Sequence, residues 1–316
     1  MLHSVFAILG LLIVVAAVVG GYLMEHGALM VLLQPAELLI IGGAALGTIL
    51  AANPLAVLKA LAGGILQVFK GSRHGKVLYT DTLTMFFDLF QAGRRNGLAG
   101  LETHVEDPKT SELFKKHPKF LADHHAVVFV CDTLRMAIAG NMSPYDMDQM
   151  MESDIEVHHK IQHQPIAALS TMADSLPGLG IVAAVLGVVI TMGSLGGPPE
   201  EIGHKVAAAL VGTFLGILMC YGFFGPIASN MSGLSEMEGY YFNFLRVTLV
   251  AFLKGVPPIL AVEFGRRVIP EPLRLSFQEM EAACRGEKAV ADPKAGEKPK
   301  AGEKPKAGEP PKGKVA

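Results

Sequence analysis

The sequence predicts an all-α integral membrane protein: four transmembrane helices, a helical cytoplasmic domain and a disordered C-terminal tail. Three observations lead there. The chain of 316 residues is 51% hydrophobic and only 18% charged, with a mean hydropathy of +0.40, and a soluble domain of this length carries more charge. The apolar excess is gathered into four runs that contain no Asp, Glu, Lys or Arg. Strand-type alternation is weak throughout.

Ser4 to Met24 is the first run. A helix of about 20 residues, rising ~1.5 Å per residue, spans a hydrocarbon core of ~30 Å. A cleaved signal peptide would need a basic start and a shorter apolar stretch. Only His3 precedes this run, so a retained helix is expected. Leu38 to Asn53 is the second run, closed by Pro54. Its Gly42, Gly43 and Gly47, with Ala44 and Ala45, are residues that let helices approach closely in lipid. Gly178 to Leu195 and Val206 to Ser229 are the third and fourth. The Gly196-Gly197-Pro198-Pro199 link makes them a hairpin.

Sidedness follows from the short connections. Glu25 to Pro35 and Gly196 to His204 contain no Lys or Arg, whereas Lys59, Lys70, Arg73, Lys160 and Arg246 flank the other side. Cytoplasmic loops are rich in Lys and Arg, so the short links lie outside and both termini inside. The expected organisation is residues 1–54 for helices one and two, 55–171 for a cytoplasmic helical domain and 172–230 for helices three and four. Residues 231–290 then form C-terminal cytoplasmic helices, and 291–316 the tail.

Within the cytoplasmic part, Asp81 to Arg95 places Leu83, Phe86, Phe87 and Phe90 on one helical face. Phe120 to Ile138 is another apolar-rich stretch, stopped by Gly140-Asn141. Ser143 is an N-cap with Pro144 at the first helical position, opening a helix that leads toward the membrane. Tyr240 to Leu253 reads as a further helix, ended by Gly255 and Pro257-Pro258. AGEKPK begins at Ala295, repeats at Ala301 and returns as AGEPPK at Ala307. Such a composition cannot bury a core.

Several classes of function are disfavoured. A formal net charge of −2 leaves no basic footprint for nucleic acid. Cys131, Cys220 and Cys284 are scattered, with no disulfide framework and no metal spacing. The adjacent pairs His124-His125 and His158-His159 are read as solvated residues, and no metal or other cofactor is expected. A membrane hydrolase needs a nucleophile and base within reach; Ser175 beside Asp174 has no histidine nearby, and no phosphate loop occurs. The chain is therefore not expected to be an enzyme.

Four blocks carry a family resemblance: QPAELLIIGGAALG (Gln34 to Gly47), DSLPGLGIVAAVLGVV (Asp174 to Val189), VGTFLGILMCYGF (Val211 to Phe223) and AVEFGRR (Ala261 to Arg267). In this order they resemble the MotA family of bacterial flagellar stator proteins, across about Met1 to Arg285. The Gly-Pro-Pro link and the repeat tail depart from the family pattern without touching the blocks. The resemblance implies five copies of this subunit around two copies of MotB in the inner membrane, with ion flow driving a rotor through the switch protein FliG. It matches Pro177 and Pro226 to the family's prolines at the channel ends. It matches Arg94 and Glu102, in GRRNGLAGLE, to the charged pair that faces the rotor, with Arg95 adjacent. The related ExbB and TolQ energy-transducing subunits have three membrane helices and lack the QPAEL block. A passive membrane scaffold would conduct nothing.

The chemistry points the same way. A proton route needs a titratable group near the midplane, and ionisable residues there are costly and functional. Helices three and four have none; Asp174 and Glu37 fall at helix ends. The conducting carboxylate must come from a partner, and the resemblance makes it an aspartate of MotB. Thr213 either faces that carboxylate or bonds its own backbone one turn back; the resemblance favours the lumen. Sodium-driven relatives tend to carry hydroxyl residues at the positions of Ala184 and Gly212. A sodium ion must replace its water shell with fixed oxygens, so their absence points to protons.

Overall fold

The computed structural model describes residues 2–286 apart from Asn141 and Ser194; the repeat tail lies outside them. Thirteen α-helices and no strand occur among the described residues. The chain starts with α1 (Leu2–Met24), the single turn α2 (Leu29–Leu32) and α3 (Pro35–Ala52). Then come α4 (Leu55–Lys70), α5 (Lys76–Asn96), α6 (Glu102–Glu106), α7 (Pro118–Leu121) and α8 (His124–Ala139). The chain closes with α9 (Pro144–Met192), α10 (Pro199–Leu218), α11 (Gly225–Leu253), α12 (Pro258–Val268) and α13 (Phe277–Arg285).

Four helical stretches are long and apolar enough to cross a membrane: Val5–Met24, Leu29–Ala52, Pro144–Met192 and Pro199–Leu253. The expected third membrane helix and the helix leading to it are one element. α9 runs 49 residues, about 74 Å at the α-helical rise. Ser143 caps it by accepting from the Asp146 N–H, and Pro144 holds the first turn, as the sequence predicts. Pro165 and Pro177 both lie inside it. The fourth span is likewise continuous: α10 passes through a π-helical turn at Met219–Phe224 into α11, which absorbs the expected separate helix from Tyr240.

Glycine sets the distance between α9 and α10. A Cβ on Gly180 would lie 2.8 Å from the Gly212 carbonyl oxygen, and one on Gly216 would lie 2.5 Å from the Leu176 carbonyl oxygen. A Cβ on Gly187 would lie 2.7 Å from that of Ala209. With no side chain at these positions the backbones touch, which supplies dispersion contact where lipid offers no hydrophobic drive. Gly42, Gly43 and Gly47 of α3, by contrast, have nothing within 4 Å of an added Cβ. α1 shows lipid-like exposure along its length, with Phe6, Leu12 and Ile13 uncovered.

The amphipathic α4 buries Val57, Leu61 and Val68. Leu61 and Val68 join a core with Ile41 and Ile49 of α3, Leu176 of α9 and Met231 of α11. α4 therefore packs with the membrane bundle. The second core draws on two distant stretches of sequence. Tyr79, Leu83, Phe86 and Phe90 of α5 meet Tyr241, Phe244 and Leu249 of α11. Phe90 and Phe252 stack with ring centroids 4.1 Å apart. Thr82 donates to the Leu78 carbonyl and its oxygen lies 2.8 Å from the Tyr241 hydroxyl, so this buried polar pair is satisfied. Phe87, expected on the same face, is only partly buried.

Two polar ties hold the first part of α9 to α11. Arg246 of α11 donates to Asp148 of α9 at 2.6 Å, and His158 of α9 pairs with Glu238 of α11 at 3.0 Å. Of the paired histidines, His124, His125 and His159 are exposed, as expected, and His158 is half-buried. His74 and His117 are buried, and His125 lies 5.5 Å from His158, ring to ring. All three cysteines are free, and no cluster of His, Cys, Asp or Glu that could hold a metal occurs among the described residues.

In α12, Glu263 of the AVEFGRR block accepts two bonds from Arg266, at 2.6 and 2.8 Å, and one from Arg267 at 2.8 Å. Arg266 also donates to the Leu275 carbonyl, tying α12 to the segment before α13. The Arg266 bonds, against the opposing effect of burial, hold the Glu263 carboxyl below the usual range. Its folded value lies below its unfolded one, so this stabilisation is complete above roughly pH 5 and fades as pH falls through the folded value.

Two outcomes follow. Gly216→Val should cost at least about 3 kcal/mol, because the intruding carbon meets rigid backbone, whereas Gly42→Ala should be tolerated; thermal unfolding of the detergent-purified protein measures both. Glu263→Gln should cost about 2–3 kcal/mol by leaving Arg266 half-paired, and should make the acid side of the stability–pH curve shallower than in the parent protein.

Candidate functional site

The predicted channel residues fall on the α9–α10 pair and its continuation into α11. Pro177 sits inside α9, one residue past Leu176, whose carbonyl meets Gly216. A proline leaves the carbonyl four residues earlier without its helical donor and opens the helix there. Pro226 is the second residue of α11, directly after the π-helical turn. Its ring cannot fit against the carbonyl four residues back in a regular α-helix, and a widened turn is the usual relief. Gly225 makes that turn sterically open, since a Cβ there would lie 2.9 Å from the Cys220 carbonyl oxygen. Pro226 also lines an apolar cleft of about 380 Å³ with Phe6, Gly10, Val14, Val68 and Asn230.

Thr213 is half-buried, and its hydroxyl makes no hydrogen bond to any described residue. Other threonines in these helices behave differently: Thr171 donates to the Ala167 carbonyl and Thr191 to that of Gly187. The back-bonded alternative for Thr213 is therefore not the one adopted. Ala184 is half-buried and offers no oxygen from its side chain.

Gly212 is buried, and an added Cβ would meet Glu37 Oε2 at 2.7 Å, the Ala183 Cβ at 3.2 Å and the Ala184 nitrogen at 3.2 Å. It belongs to the seam where α3 and α9 pack on α10. This brings Glu37 beside the wall. Sequence reasoning placed Glu37 at a helix end and hence away from mid-depth. The structure keeps it in the first turn of α3, and that turn lies against the body of α10, at a residue about 20 Å along from Pro199 by helical rise. Glu37 is only 6% exposed, and its Oε2 has no hydrogen-bond partner.

Arg94 and Glu102 are both exposed. α5 ends at Asn96, and Gly97 breaks it with φ +74, so no straight helix carries both charges. Arg95 is tied to Gln91 at 3.3 Å, one turn back, while Arg94 and Glu102 have no ion-pair partner among the described residues.

Comparison with known proteins places this arrangement. Residues 8–97 match the motility protein A N-terminal family, and residues 122–242 match the MotA/TolQ/ExbB proton channel family. Motility protein A of Escherichia coli is 40% identical over 281 residues, covering 89% of this chain and 95% of its own length. Motility protein A of Salmonella typhimurium is 40% identical over 286 residues, covering 90% and 96%.

The chain belongs to the MotA/TolQ/ExbB proton channel family.

Chemotaxis protein LafT of Vibrio parahaemolyticus is 36% identical over 273 residues, covering 86% of this chain and 96% of its own. The fold is shared with C. jejuni MotAB, at a TM-score of 0.69 and 19% identity over 84% of this chain and 95% of that one. It is shared also with the flagellar MotAB stator complex from Bacillus subtilis, at a TM-score of 0.63 and 22% identity over 81% and 92%. The match of the N-terminal helices sets the chain on the motility protein A side of the family, apart from TolQ and ExbB.

The π-helical turn has a direct test. Pro226→Ala restores a backbone donor and removes the ring, so Met219–Phe224 should close toward regular α-helix. Hydrogen exchange of the purified protein should then slow across that turn, and unchanged exchange would show that Gly225 or packing, and not the ring, sets the widened geometry.

Proposed function

We propose that this chain is the channel-wall stator subunit of a bacterial flagellar motor, a multi-pass protein of the inner membrane with both termini in the cytoplasm. The observation that carries the reading is the wall itself. α9 and α10 contact backbone to backbone and carry no Asp, Glu, Lys, Arg or His across Gly178–Leu195 and Val206–Ser229, while Thr213 keeps an unbonded hydroxyl there. A wall of this kind holds a passage but supplies no midplane carrier, so the conducting carboxylate comes from a second polypeptide, MotB. Several copies of this chain, five around two MotB chains, enclose the passage. The absence of side-chain oxygens at Ala184 and Gly212 supports protons as the ion, since nothing there replaces the water shell of sodium.

Torque follows from the continuity of the helices. α9 and α10–α11 run unbroken from the outer hairpin to the cytoplasmic core, with Pro177 and Pro226 as their weak points. Binding of a proton beside the wall biases the bend at these points, and the Arg246–Asp148 and His158–Glu238 ties carry the movement to α5. One proton crossing ~100 mV releases ~2.3 kcal/mol, enough to bias a step of this kind. Arg94 and Glu102 then meet complementary charges on FliG. Exposed charges of this sort set register and encounter rate more than affinity, which suits a contact broken at every step. No catalytic chemistry is required.

Deletion of the gene should leave flagella assembled and motionless. Re-expression with Arg94→Glu should restore membrane levels but not swimming, and reversal of a FliG charge should recover it. Cells lacking flagella altogether would contradict the stator role, and failure of every rotor reversal would remove the pairing.

A further inference from the structure

Glu37 is the one buried carboxylate of the bundle that the proposed function leaves unused. Its side chain leaves the start of α3 and is directed at Gly212, where the missing Cβ makes room for Oε2. That oxygen is buried and without a partner, and the residue as a whole is 6% exposed. The elements packed around it do not neutralise it. α9 and α10 offer no ionisable group across Gly178–Leu195 and Val206–Ser229, α2 contains none, and α4 carries only Lys59 and Lys70, toward the inner side. Lys205 stands nearer the outer end of α10, seven residues before Gly212 and about 10 Å away along the helix axis. Glu25 and His26 lie in the outer turn after α1.

A packing role needs no carboxyl. An apolar side chain would fill the same space without an orphaned oxygen, and buried polar groups without partners cost free energy. The adjoining residue, Thr213, holds the free hydroxyl of the wall. An unpartnered, buried carboxyl at that level, below the last outer charge and against the helix that carries Thr213, is suited to accept and release a proton.

We propose that Glu37 is a proton-binding station of the channel, lying between the outer water and the carboxylate supplied by the partner chain. The step balances simply. A hydronium ion gives its proton to the Glu37 carboxylate and leaves water. The O–H bond so formed breaks when the partner's carboxylate takes the proton, and Glu37 returns to its starting state with one positive charge moved inward. This inference rests on the channel reading above and adds to it a titratable group of the chain's own.

The test uses the full complex with its partner, with the segment that plugs the channel removed, in cells and in vesicles. Glu37→Gln keeps size and polarity but cannot titrate, and proton flux should fall at least about tenfold with the complex still assembled. Glu37→Asp should retain part of the flux and shift its dependence on external pH. A Glu37→Gln complex that assembles and conducts like the parent, with the same external-pH profile, overturns the proposal. Should Glu37→Gln fail to assemble, the unaltered complex decides. Dicyclohexylcarbodiimide reacts with protonated carboxyls in apolar surroundings, and mass spectrometry should find the adduct on Glu37, decreasing as pH rises. An unmodified Glu37 beside a modified partner carboxylate would equally overturn it. Absence of flux in the unaltered complex would instead count against the channel reading, leaving the adduct as the separate readout for Glu37.

Discussion

The contact of α9 with α10, backbone against backbone, is the constraint on which the rest of this structure depends. In lipid no hydrophobic drive brings helices together, so association must come from close packing and polar contacts. Gly180, Gly187, Gly212 and Gly216 allow the two helices to meet at carbonyl and Cα atoms, with Ala209 and Leu176 filling the seam. A hairpin held this way is stiff without carrying any polar side chain at its interface. It is therefore a wall that can face a passage without placing a charge in it.

The same stiffness makes the prolines matter. A pair of helices in continuous contact transmits movement unless something softens it. Pro177 weakens α9 near its closest approach to Gly216, and Pro226 forces a widened turn where α10 passes into α11. Below these points the helices are rejoined by charged ties and by the aromatic core of α5 and α11. The result is a closely packed hairpin, a middle interrupted by proline and a second, aromatic core whose α5 displays Arg94. Movement within the membrane bundle therefore has a mechanical path to the surface that carries Arg94 and Glu102.

Glu37 changes the chemical picture of the wall. α9 and α10 supply no charge, but α3 reaches in behind them with a carboxyl that finds no partner. Glycine at position 212 serves two purposes at once: it lets α9 and α3 close on α10, and it leaves space for the carboxyl oxygen. Helix packing and the placement of a buried carboxyl are thus joined at a single residue. A change there alters both.

The sequence by itself determined the four spans, because length and the absence of charge are local properties that a membrane reads directly. It likewise determined the Ser143–Pro144 start of α9 and the buried face of α5, since caps and helical periodicity act over a few residues. It did not reveal that the long helices run unbroken past Pro177, because a proline signals a helix boundary unless neighbouring helices hold the chain straight. Nor did it show that α4 joins the membrane bundle or that the second core is shared between residues 76–139 and 241–284. The position of Glu37 is the clearest case. Its place in the sequence says helix start, which is where it stands, and only the docking of α3 against α10 makes it a buried acid beside Gly212. Such docking depends on contacts between residues more than 150 positions apart, and no pattern confined to one segment records them.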